Sequence, residues 1–202
     1  MARALTGFVL IGGKSSRMGS DKALLRLPDG ETLLEHAMAV LSSVSSEVRL
    51  IGSNEKYADF TATAQIVEDI FPERGPLGGI HAALASTDTD LNLILAVDTP
   101  AVTTVLLEYL VARVEATEAL VVVPEIEGRL QPLCAAYRKD FSRLAQRFLE
   151  AGRNKVDGAF DVASTMIVRQ DELEAAGFGA NLFRNLNTVE EWSMFNEVAK
   201  SD

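Results

Sequence analysis

The chain has 202 residues, 48% hydrophobic and 24% charged, with 29 acidic against 19 basic residues and a formal net charge of −10. That length supports one sizeable core, so a single domain over residues 1–202 is expected, and the acidic field repels polyanions, which argues against nucleic acid as a partner. No apolar run reaches the roughly 20 residues that cross a bilayer, Met1 to Leu5 lacks the apolar stretch of a secretory signal, and the single cysteine, Cys134, forms no internal disulfide, so the expected location is cytoplasmic.

Short apolar runs alternate with segments of helical period, the pattern of parallel strands joined by helical crossovers. Phe8-Val9-Leu10-Ile11 predicts a first buried strand, and Leu33, Leu34, Ala37, Met38 and Leu41 predict a helix from Thr32. Val48 to Ile51 and Gln65 to Val67 predict two more strands, followed by a helix over Leu77 to Leu84 with Pro76 in its first turn. Leu93 to Val97 is continuously apolar, as in a central strand buried on both faces, and Asp98 stands at its carboxyl end. A helix with Leu106, Leu107, Leu110, Val111 and Val114 leads to a strand at Leu120 to Val123. Beyond it, Leu133 to Tyr137 predicts a strand, Phe141 to Phe148 a helix and Thr165 to Val168 an edge strand. Thr188 and Glu191 form a capping-box pattern that opens a helix carrying Trp192, Phe195 and Val198, while Gly177 to Asn181 has no assignable element.

The densest chemical signal is the run from Leu10 to Lys22, a glycine-rich loop with Gly12, Gly13 and Gly19 and the cations Lys14, Arg17 and Lys22. Such a loop bares backbone N–H groups to phosphates. It is neither a Walker loop, since Phe8 stands where the first glycine is needed, nor a dinucleotide fingerprint.

Five blocks in order resemble the nucleotidyltransferase family that builds molybdenum cofactor dinucleotides, and within it the molybdenum cofactor guanylyltransferase branch. They are Leu10-Ile11-Gly12-Gly13 with Ser16 to Gly19 and Asp21-Lys22; Glu68-Asp69 with Gly75 to Ile80; Val97-Asp98-Thr99-Pro100; Gln131-Pro132-Leu133; and Asn185-Leu186-Asn187-Thr188. Ile11 replaces the usual Ala and Val189 the usual Pro, and no counterpart is assigned to the family's Asn after the second strand. The resemblance implies a three-layer α/β/α sandwich of the GT-A-like, nucleotide-diphospho-sugar transferase type, with a mostly parallel sheet and a Rossmann-like N-terminal half. It implies transfer of GMP from GTP to molybdenum-molybdopterin, with Mg²⁺ as cofactor and with transient contact to molybdopterin-inserting or molybdoenzyme proteins. By residue, it implies that Leu10, Ile11, Gly12 and Gly13 cup the nucleoside, Arg17 and Lys22 hold the triphosphate, Asp69 meets the nucleoside and Asp98 holds Mg²⁺. Arg17, Lys22 and Asp98 are then the catalytic set, and Gly78, Gly79, Gln131, Asn185 and Asn187 are acceptor candidates.

Plainer readings stand beside these. Asp98 could cap the next helix, Lys22 could pair with Asp21, Asp69 could serve a turn before Pro72, and Gly78-Gly79 could let a helix pack on the sheet. His36 and His81 read as structural, Cys134 as a small buried hydrophobe. A cytidylyltransferase of the same cofactor, a sugar- or alditol-phosphate nucleotidyltransferase, and a non-enzymatic nucleotide-binding protein are the competing functions.

Overall fold

The structure, a computed structural model, describes residues 4–11, 21–53, 55–160, 164–186 and 191–192. Its centre is β1 (Leu5–Leu10), every residue of which is buried. On one side β1 pairs in parallel with β2 (Glu47–Ile51), which pairs with β3 (Gln65–Val67). On the other it pairs in parallel with β4 (Leu91–Ala96). Next to β4 lies β7 (Cys134–Arg138), antiparallel both to β4 and to β5 (Val121–Ile126). β8 (Thr165–Val168) runs parallel to β5, and β6 (Arg129–Leu130) folds back on the end of β5 as a hairpin. Among the described residues these make one eight-stranded, mostly parallel sheet.

The pleat sorts the apolar side chains into two cores. Leu91, Leu93 and Leu95 of β4 face α1 (Leu33–Ser42), α3 (Thr104–Glu115) and Leu173 of α5 (Gln170–Ala175). Ile94, with Phe8 and Leu10 of β1, faces α2 (Pro76–Ala85) and α4 (Phe141–Glu150). Three layers result, and full burial of a side chain such as Leu93 or Ile94 contributes roughly 2 kcal/mol. Helix α1 starts with a capping box: Thr32 accepts from the Glu35 amide at 3.1 Å, and the Glu35 carboxylate accepts from the Thr32 amide at 2.8 Å.

Strands β1 and β4 begin earlier than their purely apolar cores, at Leu5 and Leu91, because two polar residues join them fully buried. Thr6 lies 2.8 Å from the Thr89 hydroxyl and 3.2 Å from that of Thr87. Asn92 accepts from the Thr89 hydroxyl at 2.9 Å and donates to the carbonyls of Thr89 and Asp90, both at 3.1 Å. Every side-chain oxygen in that network has a partner, so burial carries no orphan cost. Two elements, β6 and α5, were not expected from the sequence. Within the unassigned stretch, Ala180–Phe183 forms a 3-10 turn that buries Phe183.

Candidate active site

Because β1, β2, β3 and β4 run parallel, their carboxyl ends share one edge of the sheet. The chain leaves β1 toward β2 on one side and finds β4 on the other, the kind of switch point at which open α/β sheets bind ligands. Val97 N–H donates to the Leu10 carbonyl at 3.2 Å, so Asp98 is the first residue beyond the β1–β4 ladder. Lys22, on a short 3-10 turn (Lys22–Leu24), donates to Asp98 Oδ2 at 3.3 Å. The pair is only 17% and 19% exposed, enough to keep its charges in contact with water while limiting screening.

This arrangement decides two of the open readings. Asp98 does not cap α3: Thr103 does, accepting from the Leu106 amide at 3.3 Å. Nor does Lys22 bond Asp21, whose Oδ2 lies 2.8 Å from Lys56 Nζ. A lysine reaching 76 positions along the chain to an Asp at a strand end is a placement that surface pairing does not require.

Asp69 lies two residues past β3. Its Oδ1 accepts from the Phe71 amide at 2.8 Å, so the turn role is present. Its carboxylate also sits against α2: a Cβ at Gly78 would fall 2.7 Å from Oδ2. Burial pushes the Asp69 carboxyl above its ordinary range, and the Phe71 amide and the charge of His81 pull it part of the way back. Gly79 faces Leu10 and Ile51 across a gap a Cβ would fill to 3.0 Å. The open sides of both glycines are therefore occupied by this chain's own atoms, the close helix packing of the plainer reading. Ile11 is similarly accommodated: it lies over Gly52, where a Cβ would come within 2.7 Å of its Cγ1.

Beside Asp98 opens a cleft of about 190 Å³, lined among others by Thr99, Gln131, Pro132, Cys134, Phe183 and Asn185. The antiparallel direction of β7 puts its amino end at this edge, which brings Gln131 here, and Ala96 N–H donates to the Leu133 carbonyl at 2.7 Å. Asn185 arrives through the backbone, since Leu186 N–H donates to the Asp98 carbonyl at 2.9 Å. Two acceptor candidates 54 positions apart in sequence thus share one cavity with the residues flanking Asp98. Gly12, Gly13, Lys14, Arg17, Asn187 and Thr188 lie outside the described residues.

The remaining polar side chains support the frame. His36 Nε2 lies 3.0 Å from the Pro100 carbonyl and Nδ1 lies 3.2 Å from Glu31 Oε2, bracketing α1 to the loop that carries Asp98. His81 is buried with its ring edge on Phe71, centroids 5.1 Å apart, and burial lowers its pKa against the opposing pull of Asp69 and Glu150. Cys134 is a buried neutral thiol, pushed up to about 12 by desolvation. Trp192 packs against the α1–α3 core, while Phe195 and Val198 lie outside the described residues.

Could this edge hold a divalent cation? Among the described residues no three His, Cys, Asp or Glu side chains cluster. A single carboxylate at Asp98 suits a hard ion that keeps several waters and takes its other ligands from phosphate oxygens. The donor set fits Mg²⁺ bound together with a nucleotide rather than in an all-protein cage.

Residues 7–164 match the family described as MobA-like NTP transferase domain. A protein named molybdenum cofactor guanylyltransferase, from Desulfosudis oleivorans, is 30% identical over 93% of this chain and 92% of its own length. One named probable molybdenum cofactor guanylyltransferase, from Flavobacterium johnsoniae, is 31% identical over 95% and 96%. The crystal structure of molybdopterin-guanine dinucleotide biosynthesis protein A from Archaeoglobus fulgidus superposes with a TM-score of 0.83 at 23% identity, covering 98% of this chain and all of the other. That likeness establishes the three-layer fold.

Proposed function

The chain belongs to the MobA-like NTP transferase family and is a nucleotidyltransferase, and from that premise we propose that it transfers GMP from GTP to molybdenum-molybdopterin, with all 202 residues serving as one catalytic domain. The observation that carries the reading is the pairing of Lys22 with Asp98 at 3.3 Å, at the edge where the cleft with Gln131 and Asn185 opens. A cation and a carboxylate held together there form the two halves of a triphosphate grip.

Lys22 exchanges its bond to Asp98 for one to the triphosphate when nucleotide arrives, and Arg17 adds a second cation. Asp98, so released, would hold Mg²⁺, which would supply positive charge against the phosphate oxygens. The Leu10 to Gly13 backbone cups the nucleoside, and Asp69 accepts from guanine N–H groups or a ribose hydroxyl. An oxygen of the acceptor's terminal phosphate, placed by Gln131, Asn185 and Asn187, forms a bond to the α-phosphorus. The bond from that phosphorus to the bridging oxygen breaks in line, and the electron pair leaves with pyrophosphate. A phosphate monoester is largely dianionic at neutral pH, its second pKa being about 6, so no general base is needed. Alignment of two anions and neutralisation of the developing charge are what the site contributes.

Pyrophosphate release measured with GTP, Mg²⁺ and molybdenum-loaded molybdopterin tests the reading. Release with GTP and little with CTP, ATP or UTP supports it. Selective CTP turnover replaces the base assignment, and no release with any nucleotide rejects the reaction.

A further inference from the structure

Tyr57, in the connection between β2 and β3, is only 2% exposed and packs in the α1–α3 core with Leu50 and Ile66. A pure core position is served by phenylalanine; the extra hydroxyl must be satisfied or it costs stability. It lies 2.8 Å from Asp21 Oδ2 and 3.4 Å from the Ile11 carbonyl. Ile11 immediately precedes residues 12–20 and Asp21 immediately follows them. The phenol's single proton goes to Asp21 Oδ2, the shorter contact, so its hydrogen bond is made at the residue that follows the glycine-rich segment, with the Ile11 carbonyl beside it.

Asp21 carries that contact onward. Its Oδ1 accepts from the Ala23 amide at 3.2 Å, capping the 3-10 turn on which Lys22 sits, and Lys56 Nζ lies 2.8 Å from Oδ2. Burial pushes the Asp21 carboxyl up, but the bonds from Lys56, Tyr57 and the Ala23 amide outweigh it and hold the group below its ordinary value. Burial, and then the neighbouring carboxylate, raise the Tyr57 phenol well above its usual range, so its proton stays in place as a donor. From the core the connection runs from Tyr57 to Asp21, through the turn that Asp21 caps to Lys22, and from Lys22 to Asp98.

We propose that Tyr57 is a positioning residue for nucleotidyl transfer: its hydroxyl donates to Asp21 Oδ2 and so fixes the turn that aims Lys22 at the reacting phosphates beside Asp98. The proposal rests on the function above for its kinetic consequence, and on geometry alone for its local structural one.

The test compares Tyr57→Phe with wild type and with Tyr109→Phe, which removes a phenol bonded to Glu172 away from the site. Hydrogen exchange, thermal unfolding and steady-state kinetics with GTP, Mg²⁺ and molybdenum-loaded molybdopterin are read for each. For Tyr57→Phe the expected result is a melting temperature close to wild type and faster exchange confined to the amides of Ala23, Leu24 and Leu25. Its kcat falls by about tenfold or more while KM for GTP moves by less than about threefold, as misplacement of a reacting group predicts. Tyr109→Phe leaves kcat and those amides unchanged. Should Tyr57→Phe not fold, Asp21→Asn, which keeps the ring in the core, must give the same local exchange and the same kcat loss. Unaltered exchange at those amides, or unaltered kcat, overturns the proposal. A wild-type protein inactive with every nucleotide instead rejects the transferase reading, and the exchange measurement then decides Tyr57 by itself.

Discussion

At the amino end of the sheet, Thr6, Thr87, Thr89 and Asn92 close a hydrogen-bond network on themselves, whereas at the carboxyl end Lys22, Asp98 and Asp69 keep charge at a partly open edge. Both groups sit at the ends of the same strands. The first directs its hydrogen bonds inward, among its own members. In the second, Lys22 and Asp98 pair at 3.3 Å at an edge that stays partly open, and Asp69 keeps a carboxylate half-buried against a helix whose Gly78 leaves room for it. On the proposed function, the difference separates polar groups that stabilise the fold from polar groups placed to meet a substrate.

Asp98→Asn should make that contrast sharpest. Loss of the carboxylate proposed to hold Mg²⁺ lowers kcat by about 10³-fold, while circular dichroism and the melting temperature stay near wild type. A melting temperature low enough to explain the inactivity would move Asp98 into the structural class. Lys22→Met is next, with kcat down by about 10²-fold. Its stability change stays within about 1 kcal/mol, because a partly exposed ion pair contributes little to folding. Thr6→Val gives the opposite signature: denaturant unfolding shows a loss of about 1–2 kcal/mol from a broken buried network, and kcat is unchanged.

The smallest effect concerns Asp69. A carboxyl raised by burial favours the folded state while protonated, below the unfolded value of about 4, and that contribution is lost as pH rises through the higher folded value. At neutral pH its charge therefore weighs against folding. Asp69→Asn should melt at or slightly above wild type at pH 7, with the advantage shrinking toward pH 4, and it should bind GTP more weakly in calorimetry. A lower melting temperature at pH 7 would mean that the charged carboxylate stabilises the turn.

Much of this arrangement was legible in the sequence. Gln65–Val67 and Thr165–Val168 are strands with the expected boundaries, since their β-branched residues stand between turn formers. Lys22 and Asp98 stood out in the sequence because one follows a glycine-rich run and the other ends an apolar strand, and the structure brings them within 3.3 Å. The hairpin from β5 to β6 was missed: its turn places Glu127 as well as Gly128 at positive φ, 51° and 71°, and glutamate gives no turn signal. The reversed direction of β7 was also invisible, because a strand buried on both faces reads the same either way, yet that reversal delivers Gln131 to the cleft. Tyr57 escaped for a related reason. Its partner Asp21 lies 36 positions away, a separation that leaves no periodic trace. Thr103 was readable as the cap of α3, standing directly before the apolar-periodic run, and it would have freed Asp98 from that role at once.

A crystal structure of the protein with GTP and Mg²⁺ tests the central claim most directly. The triphosphate should lie between Lys22 and Asp98, with the cation on the Asp98 carboxylate and the base near Asp69. A triphosphate bound elsewhere on the sheet, with the Lys22–Asp98 contact intact beneath it, would contradict the account.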